Sequence, residues 1–290
     1  IMPSLVGSEM CIRDRYIPDI VVAIILIAGI GLLAYPTIGD YINALHSSKA
    51  IGSYVEKTKD LSKEEKENLL REAREYNESL VGKVNRYYLN EEEKKRYAHI
   101  LDITKTGIMA YVEIPKLNIY MPVYHGTDEG VLQIAAGHLP GSSLPVGGEN
   151  THSLISGHRG LPSAKLFTDI DKLKKGDLFF IHVFDEVLAY KVNQIKIVLP
   201  DDVETLEIEK GKDYVTLITC TPYGVNSHRL LVRGERTVYK QSESKIEDMI
   251  KKNNLKYIML TAGVILALIG MTVLVLSLIH ISEPTRLGMI

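Results

Sequence analysis

Two uncharged apolar runs stand near the two ends of the chain. The first covers residues 20–35 and is followed by Pro36, and the second covers residues 257–276. Both runs are close to the length that crosses the hydrocarbon core of a bilayer. A cleaved secretory leader is the alternative for the first run, and a buried core helix for the second. We expect transmembrane helices at residues 16–36 and 257–276, with a linker at residues 241–256.

Residues 37–106 form a charged region with a helical pattern. Ser62 is followed three residues later by Glu65, which is the spacing of a capping box at a helix N-terminus. Apolar and aromatic residues then recur at helical spacing: Leu69, Leu70, Ala73 and Tyr76. This region is expected to be a helical preface packed against the main domain.

The pattern changes in residues 107–240, where short β-rich runs alternate with turns rich in Gly, Pro and Asp. Strands are predicted at residues 109–114, 119–123, 152–156, 178–183, 187–191, 195–199, 214–220 and 229–233. One short helix is predicted at residues 166–173. Strands at this spacing are typical of an all-β sandwich or barrel.

The terminal stretches have an unusual relationship to each other. One DNA sequence that encodes residues 5–15 also encodes residues 276–286 when its complementary strand is translated. Two unrelated peptides are not expected to share such a relationship. We therefore expect residues 1–15 and 277–290 to be translated sequencing adapter, and we exclude them from the fold prediction. On this interpretation Cys11 has no function, and Cys220 is the lone natural thiol.

Composition excludes some classes of function. A formal net charge of −2 offers no bulk attraction for nucleic acid. His152 and His158 do not make a metal site, because no cysteine or acidic cluster accompanies them. Asp201, Asp202 and Glu204 are interpreted as a solvated loop rather than a calcium site. Neither a metal nor a cofactor is expected.

The lone thiol is the main candidate for chemistry. Cys220 ends a β-branched run and precedes the turn-rich loop of residues 221–227, and Arg229 lies on the returning strand. A single cysteine is either an inert buried side chain or a nucleophile. Its place at the end of a strand, beside a loop, favours the nucleophile.

Several motifs resemble those of one enzyme family. TLITC at residues 216–220 resembles the sortase signature Thr-Leu-x-Thr-Cys, and SGHRG at residues 156–160 resembles the segment that carries the sortase histidine. The segments at residues 137–145, 147–153, 157–167 and 219–224 are similar to the pilus-assembling class C sortases. The resemblance covers residues 107–236 and implies a closed eight-stranded β-barrel.

The resemblance also implies the roles of individual residues. Cys220 would be the nucleophile, His158 its proton-handling partner and Arg229 the residue that stabilises the oxyanion. The competing candidates are His138, His152 and His228 for the histidine, and Arg233 for the arginine. Substrate contacts are expected from the residues around the nucleophile: Thr219, Thr221, Pro222 and Tyr223.

The function implied is cleavage of an Leu-Pro-x-Thr-Gly-like sorting signal between Thr and Gly. In class C the acceptor is a lysine of a pilin subunit, and the enzyme lies on the outer face of a Gram-positive cell membrane. The expected partners are therefore pilin or surface-protein sorting signals, an acceptor lysine and the lipid bilayer. The alternatives are a housekeeping sortase that anchors surface proteins to peptidoglycan and, from a different class, a non-catalytic wall-binding scaffold.

The sequence departs from class C in one respect. Those enzymes usually carry a lid with an Asp-Pro-aromatic triplet, and no such triplet occurs before Gly107. The stretch at residues 82–90 is the candidate lid. Tyr87 or Tyr88 would replace the aromatic plug, and ordinary packing is the alternative for both.

Overall fold

The structure is a computed structural model that describes residues 10–238 and, further along, residues 259, 262, 263, 266 and 270. The first nine residues lie outside the described part of the chain. The predicted linker at residues 241–256, nearly all of the second apolar run and the C-terminal adapter stretch also lie outside it.

The N-terminal apolar run belongs to one long helix, α1, which covers Met10–Asp60 and continues through Pro36. Many of the described apolar side chains from residue 21 to residue 33 are exposed, including Ile25 and Leu33. By length and composition, residues Ile24–Asp60 contain a segment able to cross a membrane. Exposure of such a surface is costly in water and favourable in lipid.

The second half of α1 is attached to the rest of the fold through Tyr54, which is fully buried. The Tyr54 hydroxyl donates to the carbonyl oxygen of Met109 at 3.0 Å and accepts from the backbone N–H of Phe184 at 3.0 Å. Its ring lies 6.5 Å from that of Tyr111 in an edge-to-face arrangement. One buried phenol therefore connects the helix to two separate segments of the chain.

Two shorter helices follow. Helix α2, Lys63–Leu80, begins with the predicted capping box, in which Ser62 N–H donates to Glu65 at 2.8 Å and Glu65 N–H donates to the Ser62 hydroxyl at 3.2 Å. Helix α3, Glu91–His99, begins with a second capping box, formed by Asn90 and Glu93, that was not predicted. The helical preface is thus confirmed, with one more helix than expected.

The remaining elements form a closed barrel of eight strands. In chain order they are β1 Ile108–Ile114, β2 Ile119–His125, the short helix α4 Glu129–Leu132, β3 Ala136–His138, β4 Thr151–Ser156, β5 Leu178–Val183, β6 Glu186–Val198, β7 Asp213–Thr221 and β8 His228–Arg236. Around the barrel the order is β1-β2-β3-β4-β7-β8-β6-β5. The pairs β2–β3 and β4–β7 are parallel, and the other pairs are antiparallel.

The barrel confirms the predicted fold class, with three differences in detail. The predicted strands at residues 187–191 and 195–199 are one strand, β6, with a register shift between Val192 and Gln194. The three-residue strand β3 was missed, because a run as short as Ala-Gly-His has no strand pattern. The predicted helix at residues 166–173 is wrong in extent, since only Ile170–Lys172 form a turn of 3₁₀ helix.

Two histidines are buried near the barrel wall, each with hydrogen bonds that suit a neutral ring. His138 Nε2 bonds the carbonyl oxygen of Ser143 at 2.8 Å, and His152 Nδ1 bonds that of Glu207 at 2.9 Å. Burial lowers the pKa of His138 to about 3 and that of His152 to about 4. Both rings therefore stay neutral in the folded protein well below the usual histidine pKa.

We predict that these histidines make the fold sensitive to mild acid. The unfolded chain takes up protons at these two rings below about pH 6.5, while the folded chain does not, so stability falls as pH decreases. Near pH 5 the free energy of unfolding should fall by nearly 2.7 kcal/mol per pH unit for the two histidines together, roughly twice the single-group slope. Chemical unfolding between pH 7 and pH 5 measures it.

Most carboxylates ionise below this window, because their unfolded pKa values lie near about 4. Burial raises the pKa of Asp40 and Asp213, so these two groups oppose the histidine effect. Replacement of the exposed His99 by Gln serves as the control and should leave the slope unchanged. A free energy of unfolding that is the same at pH 7 and pH 5 would contradict the prediction.

Candidate active site

Cys220 is the penultimate residue of β7 and is partly exposed. Side chains alternate along the strand, and Val215 and Leu217 face the barrel interior while Ile218 belongs to a separate cluster outside it. Cys220 therefore lies on the outer face, two residues beyond Ile218. Within the described part of the chain its thiol makes no hydrogen bond.

Arg229 is directly opposite Cys220 in the antiparallel pairing of β7 with β8. Such partners share a face, with Cβ atoms about 5 Å apart. The Arg229 Nη1 group donates to the carbonyl oxygens of Asn226 at 3.2 Å and His228 at 3.1 Å. Its Nε and Nη2 groups make no hydrogen bond to any described residue, so they are free to donate hydrogen bonds to a ligand.

The competing arginine occupies a different place. Arg233 is opposite Thr216, four residues further along the strand. Its guanidinium donates to Glu209 at 2.8 Å and to Asn193 at 3.2 Å, and lies 4.0 Å from the centre of the Tyr214 ring. The charge of Arg233 is thus paired with Glu209, away from the thiol.

His158 follows the end of β4, which runs parallel to β7. The last register pair is Ser156 with Ile218, and the alignment continues through a hydrogen bond from Gly157 N–H to the Ile218 carbonyl oxygen at 3.0 Å. His158 thereby comes level with Cys220, on the side of β7 away from Arg229. A hydrogen bond from Phe167 N–H to the His158 carbonyl oxygen at 3.1 Å closes the loop behind it.

Side-chain hydrogen bonds on both sides of His158 strengthen this alignment. The Thr219 hydroxyl donates to the carbonyl oxygen of Gly157 at 2.7 Å. Arg159 donates through Nη1 to the Thr221 hydroxyl at 3.3 Å and through Nη2 to Asp171 at 2.5 Å. The neighbours of His158 are therefore bonded to the neighbours of Cys220.

The four predicted substrate-binding residues fall into two groups. Thr219 and Thr221 are buried and bonded to the histidine loop, because alternation turns them away from the face that carries Cys220. Pro222 and Tyr223 are exposed, and the Tyr223 ring packs against the backbone of Gly160. Only this second pair presents surface to a ligand.

The other candidate histidines are placed differently from His158. His138 and His152 are fully buried and hydrogen-bonded, as described above, and His228 is opposite Thr221 with its Nδ1 2.9 Å from the Ser227 hydroxyl.

The candidate lid lies against the outer face of the barrel. Leu154, Leu206, Ile218 and Leu231 form an outer apolar cluster on which Tyr87 packs. Arg86 Nη2 donates to the Tyr87 hydroxyl at 2.8 Å and to the Leu206 carbonyl oxygen at 2.7 Å. Burial raises the pKa of Tyr87. Tyr88, by contrast, is 84% exposed.

Sequence reasoning missed Arg159, Gly157 and Arg86. Arg159 and Gly157 adjoin His158 in a motif that was recognised, but nothing in their spacing indicates which distant residues they contact. Arg86 is buried and forms an ion pair with Glu207 at 3.1 Å, a contact across more than a hundred residues.

A partly exposed thiol, an imidazole level with it and a cation opposite it are the three groups that thiol-based acyl transfer requires. Comparison with known proteins agrees. The family model for the sortase domain matches residues 112–237. Sortase C1 from Streptococcus agalactiae is 49% identical with a TM-score of 0.65, and the alignment covers 66% of this chain and 100% of that one.

Two further relatives support the same assignment. Sortase C from Streptococcus pneumoniae is 47% identical with a TM-score of 0.60, over 67% of this chain and 99% of that one. Sortase A from Bacillus anthracis is 31% identical over 46% of this chain and 61% of its own length. The chain thus spans about three fifths of the length of the curated sortase A relatives it matches. It belongs to the sortase family, whose members are cysteine transpeptidases.

We predict that Gly157→Ala disturbs the loop that carries His158. A Cβ atom at residue 157 would lie 2.6 Å from the ring of Phe167, which is fully buried and has little room to move. Overpacking of this kind costs about 1–3 kcal/mol. Thermal unfolding of the full chain in detergent should show a midpoint lowered by several degrees.

Gly52→Ala is the matched control, because a Cβ there meets nothing within 4 Å and lies in helix α1. That change should be neutral or slightly stabilising. Equal midpoints for the Gly157 variant and the parent protein would refute the predicted clash.

Proposed function

We propose that this protein is a membrane-anchored cysteine transpeptidase that joins a sorting signal to a lysine of a pilin subunit. The observation that carries the proposal is the alignment of Cys220 between His158 and Arg229. The proposed signal is an Leu-Pro-x-Thr-Gly-like peptide that is cut between Thr and Gly. The barrel would lie on the outer face of the membrane, with α1 as its anchor.

In the first half of the proposed reaction, the Cys220 thiolate attacks the threonine carbonyl carbon. The developing oxyanion is stabilised by the guanidinium of Arg229, which has two unpaired donor groups for it. The carbon–nitrogen bond breaks as His158 donates a proton to the departing amine, which leaves a thioester on Cys220.

In the second half, the lysine amine attacks the thioester carbonyl carbon and loses its proton to His158. The carbon–sulfur bond breaks and Cys220 leaves as a thiolate, so the enzyme returns to its starting state. His158 thus carries out both proton transfers, Cys220 carries the acyl group, and Arg229 stabilises the oxyanion. Neither a metal nor a cofactor has a step in this scheme.

A pilin lysine is favoured as the acceptor for two reasons. The solved sortase C structures are 42–49% identical to this chain, whereas the curated sortase A relatives reach 26–34%. The Streptococcus pneumoniae sortase C structure provides insights into pilin substrate specificity. The remaining candidate is an anchoring sortase with a peptidoglycan amine as acceptor.

We predict that the full chain in detergent forms an acyl adduct on Cys220 with an Leu-Pro-x-Thr-Gly peptide. The adduct should transfer to a pilin domain with a free lysine, because the lysine amine completes the reaction. Cys220→Ala should abolish the adduct, and Arg229→Ala should slow its formation roughly hundredfold. Mass spectrometry of the peptide that contains Cys220 measures both steps.

Arg233→Ala is the control for Arg229, since it removes the same charge from the same strand away from the thiol. Transfer to glycine-type amines alone would identify the anchoring enzyme instead. Undiminished adduct in the Cys220 variant would overturn the proposal as a whole.

We further propose that residues 82–90 are a lid held by Tyr87. Its ring covers the outer apolar cluster, in which Ile218 lies about 7 Å from Cys220 along the same face of β7. An extended peptide that approaches Cys220 along this face would compete with Tyr87 for the cluster. Arg86 would keep the lid attached through the Leu206 carbonyl oxygen.

Tyr87→Ala should therefore expose Cys220 to bulky reagents. Removal of the partly buried Tyr87 ring should lower the ratio of closed to open lid about tenfold. The rate of alkylation of Cys220 by a large maleimide, read by mass spectrometry, should rise by about that factor. Tyr88→Ala is the matched control, since Tyr88 is exposed. Equal rates in the two variants would argue against the lid.

A further inference from the structure

Glu129 is an acidic residue next to His158 that the sequence did not single out. It is the first residue of helix α4, and one of its carboxylate oxygens lies 3.6 Å from His158 Nε2. The other oxygen accepts a hydrogen bond from Gln133 Nε2 at 2.5 Å, one turn further along. The amide of Gln133 therefore directs the carboxylate toward the imidazole.

The charge state of Glu129 follows from these contacts. The hydrogen bond from Gln133, with a smaller contribution from the charge of His158, holds the pKa of Glu129 below its usual value. The residue is consequently an anion at neutral pH. An anion beside an imidazole favours the ring that carries both protons.

The other ionisable groups on the elements next to His158 do not contact its ring as Glu129 does. Arg159 on the same loop pairs with Asp171, and Arg229 on β8 donates to backbone carbonyl oxygens. His228 on β8 and Asp128 before α4 make no ion pair with a described residue. Among the described residues, Glu129 is the one carboxylate within 4.0 Å of the His158 ring.

We propose that Glu129 is a positioning residue for the sortase reaction, which orients the His158 ring and stabilises its protonated form. This inference rests on the proposed function. A proton moves from the Cys220 thiol to His158, which leaves a thiolate beside an imidazolium with no change in net charge. Glu129 increases the share of protein in that reactive form without contacting the substrate.

The size of the effect is limited by exposure, because the Glu129 side chain is 72% exposed. Exposed ion pairs are weak, and we expect a roughly twofold to fivefold change in reactivity. Such a pair is also screened by salt, since the Debye length falls to about 3 Å at 1 M. The contribution of Glu129 should accordingly decrease at high ionic strength.

The test compares Glu129→Gln with Asp128→Asn in the full chain in detergent. The first change removes the carboxylate while keeping an amide for Gln133, and the second removes an equal charge from the adjacent residue. The rate of Cys220 alkylation by iodoacetamide is measured from pH 5 to pH 9 by mass spectrometry of the Cys220 peptide. Peptide transfer to the lysine acceptor is measured in parallel.

For Glu129→Gln we expect both rates at pH 7 to fall roughly twofold to fivefold. The rise of its alkylation rate with pH should be displaced to higher pH, because the reactive thiolate–imidazolium pair loses its neighbouring anion. The difference from the parent should shrink in 1 M salt. Asp128→Asn should match the parent. A Glu129→Gln profile identical to the parent, or an equal change in Asp128→Asn, would overturn the inference.

The alkylation measurement needs no substrate, so it separates this inference from the proposed function. If the parent protein forms no acyl adduct but Glu129→Gln still lowers alkylation, the proposed function fails and the role of Glu129 toward the thiol stands. If acyl transfer occurs but alkylation is unchanged, the proposed function stands and the inference fails.

Discussion

The site depends on β7 having a parallel neighbour on one side and an antiparallel neighbour on the other. The antiparallel pairing with β8 brings Arg229 back to the level of Cys220 after a short loop. The parallel pairing with β4 carries the chain past Ser156 in the same direction as β7, so His158 arrives at the same end. Cys220, Arg229 from the next strand and His158 from a distant segment thus come to the same end of β7, where the two kinds of pairing share one strand.

Strand alternation places the thiol and the supporting threonines on opposite faces of β7. Cys220 lies on the outer face, while Thr219 and Thr221 turn inward and bond the loop that carries His158. A hydroxyl that is buried must find a partner, and the loop offers a carbonyl oxygen and a guanidinium. The threonines therefore satisfy their own hydrogen bonds and hold the histidine loop in register with the thiol.

The outer face is also where the N-terminal part of the chain meets the barrel. Tyr87 covers apolar residues of β4, β7 and β8 that would otherwise be exposed to water. Elsewhere, Tyr54 of α1 reaches the backbone of β1 and the turn after β5. The helical preface consequently covers part of the face that carries the thiol.

Much of this could be read from the sequence. β-rich runs bounded by turn residues predicted seven of the eight strands in position, because each of these strands has at least six residues, whereas β3 has three. Ser62 and Glu65 predicted the start of α2, because a capping box is a local interaction. The motif around residues 216–220 indicated the family, and it suggested that an arginine on the returning strand would come near the thiol.

Other features were decided only by tertiary structure. Glu129 lies beside His158, and Arg159 bonds Thr221, through contacts between segments separated by tens of residues, which no local periodicity encodes. Pairing order decided that β4 is the parallel neighbour of β7. The sequence by itself determined most of the elements that form and which residue types are reactive. The closed barrel decided which of those residues share a face, because only strand register converts separation along the chain into distance in space.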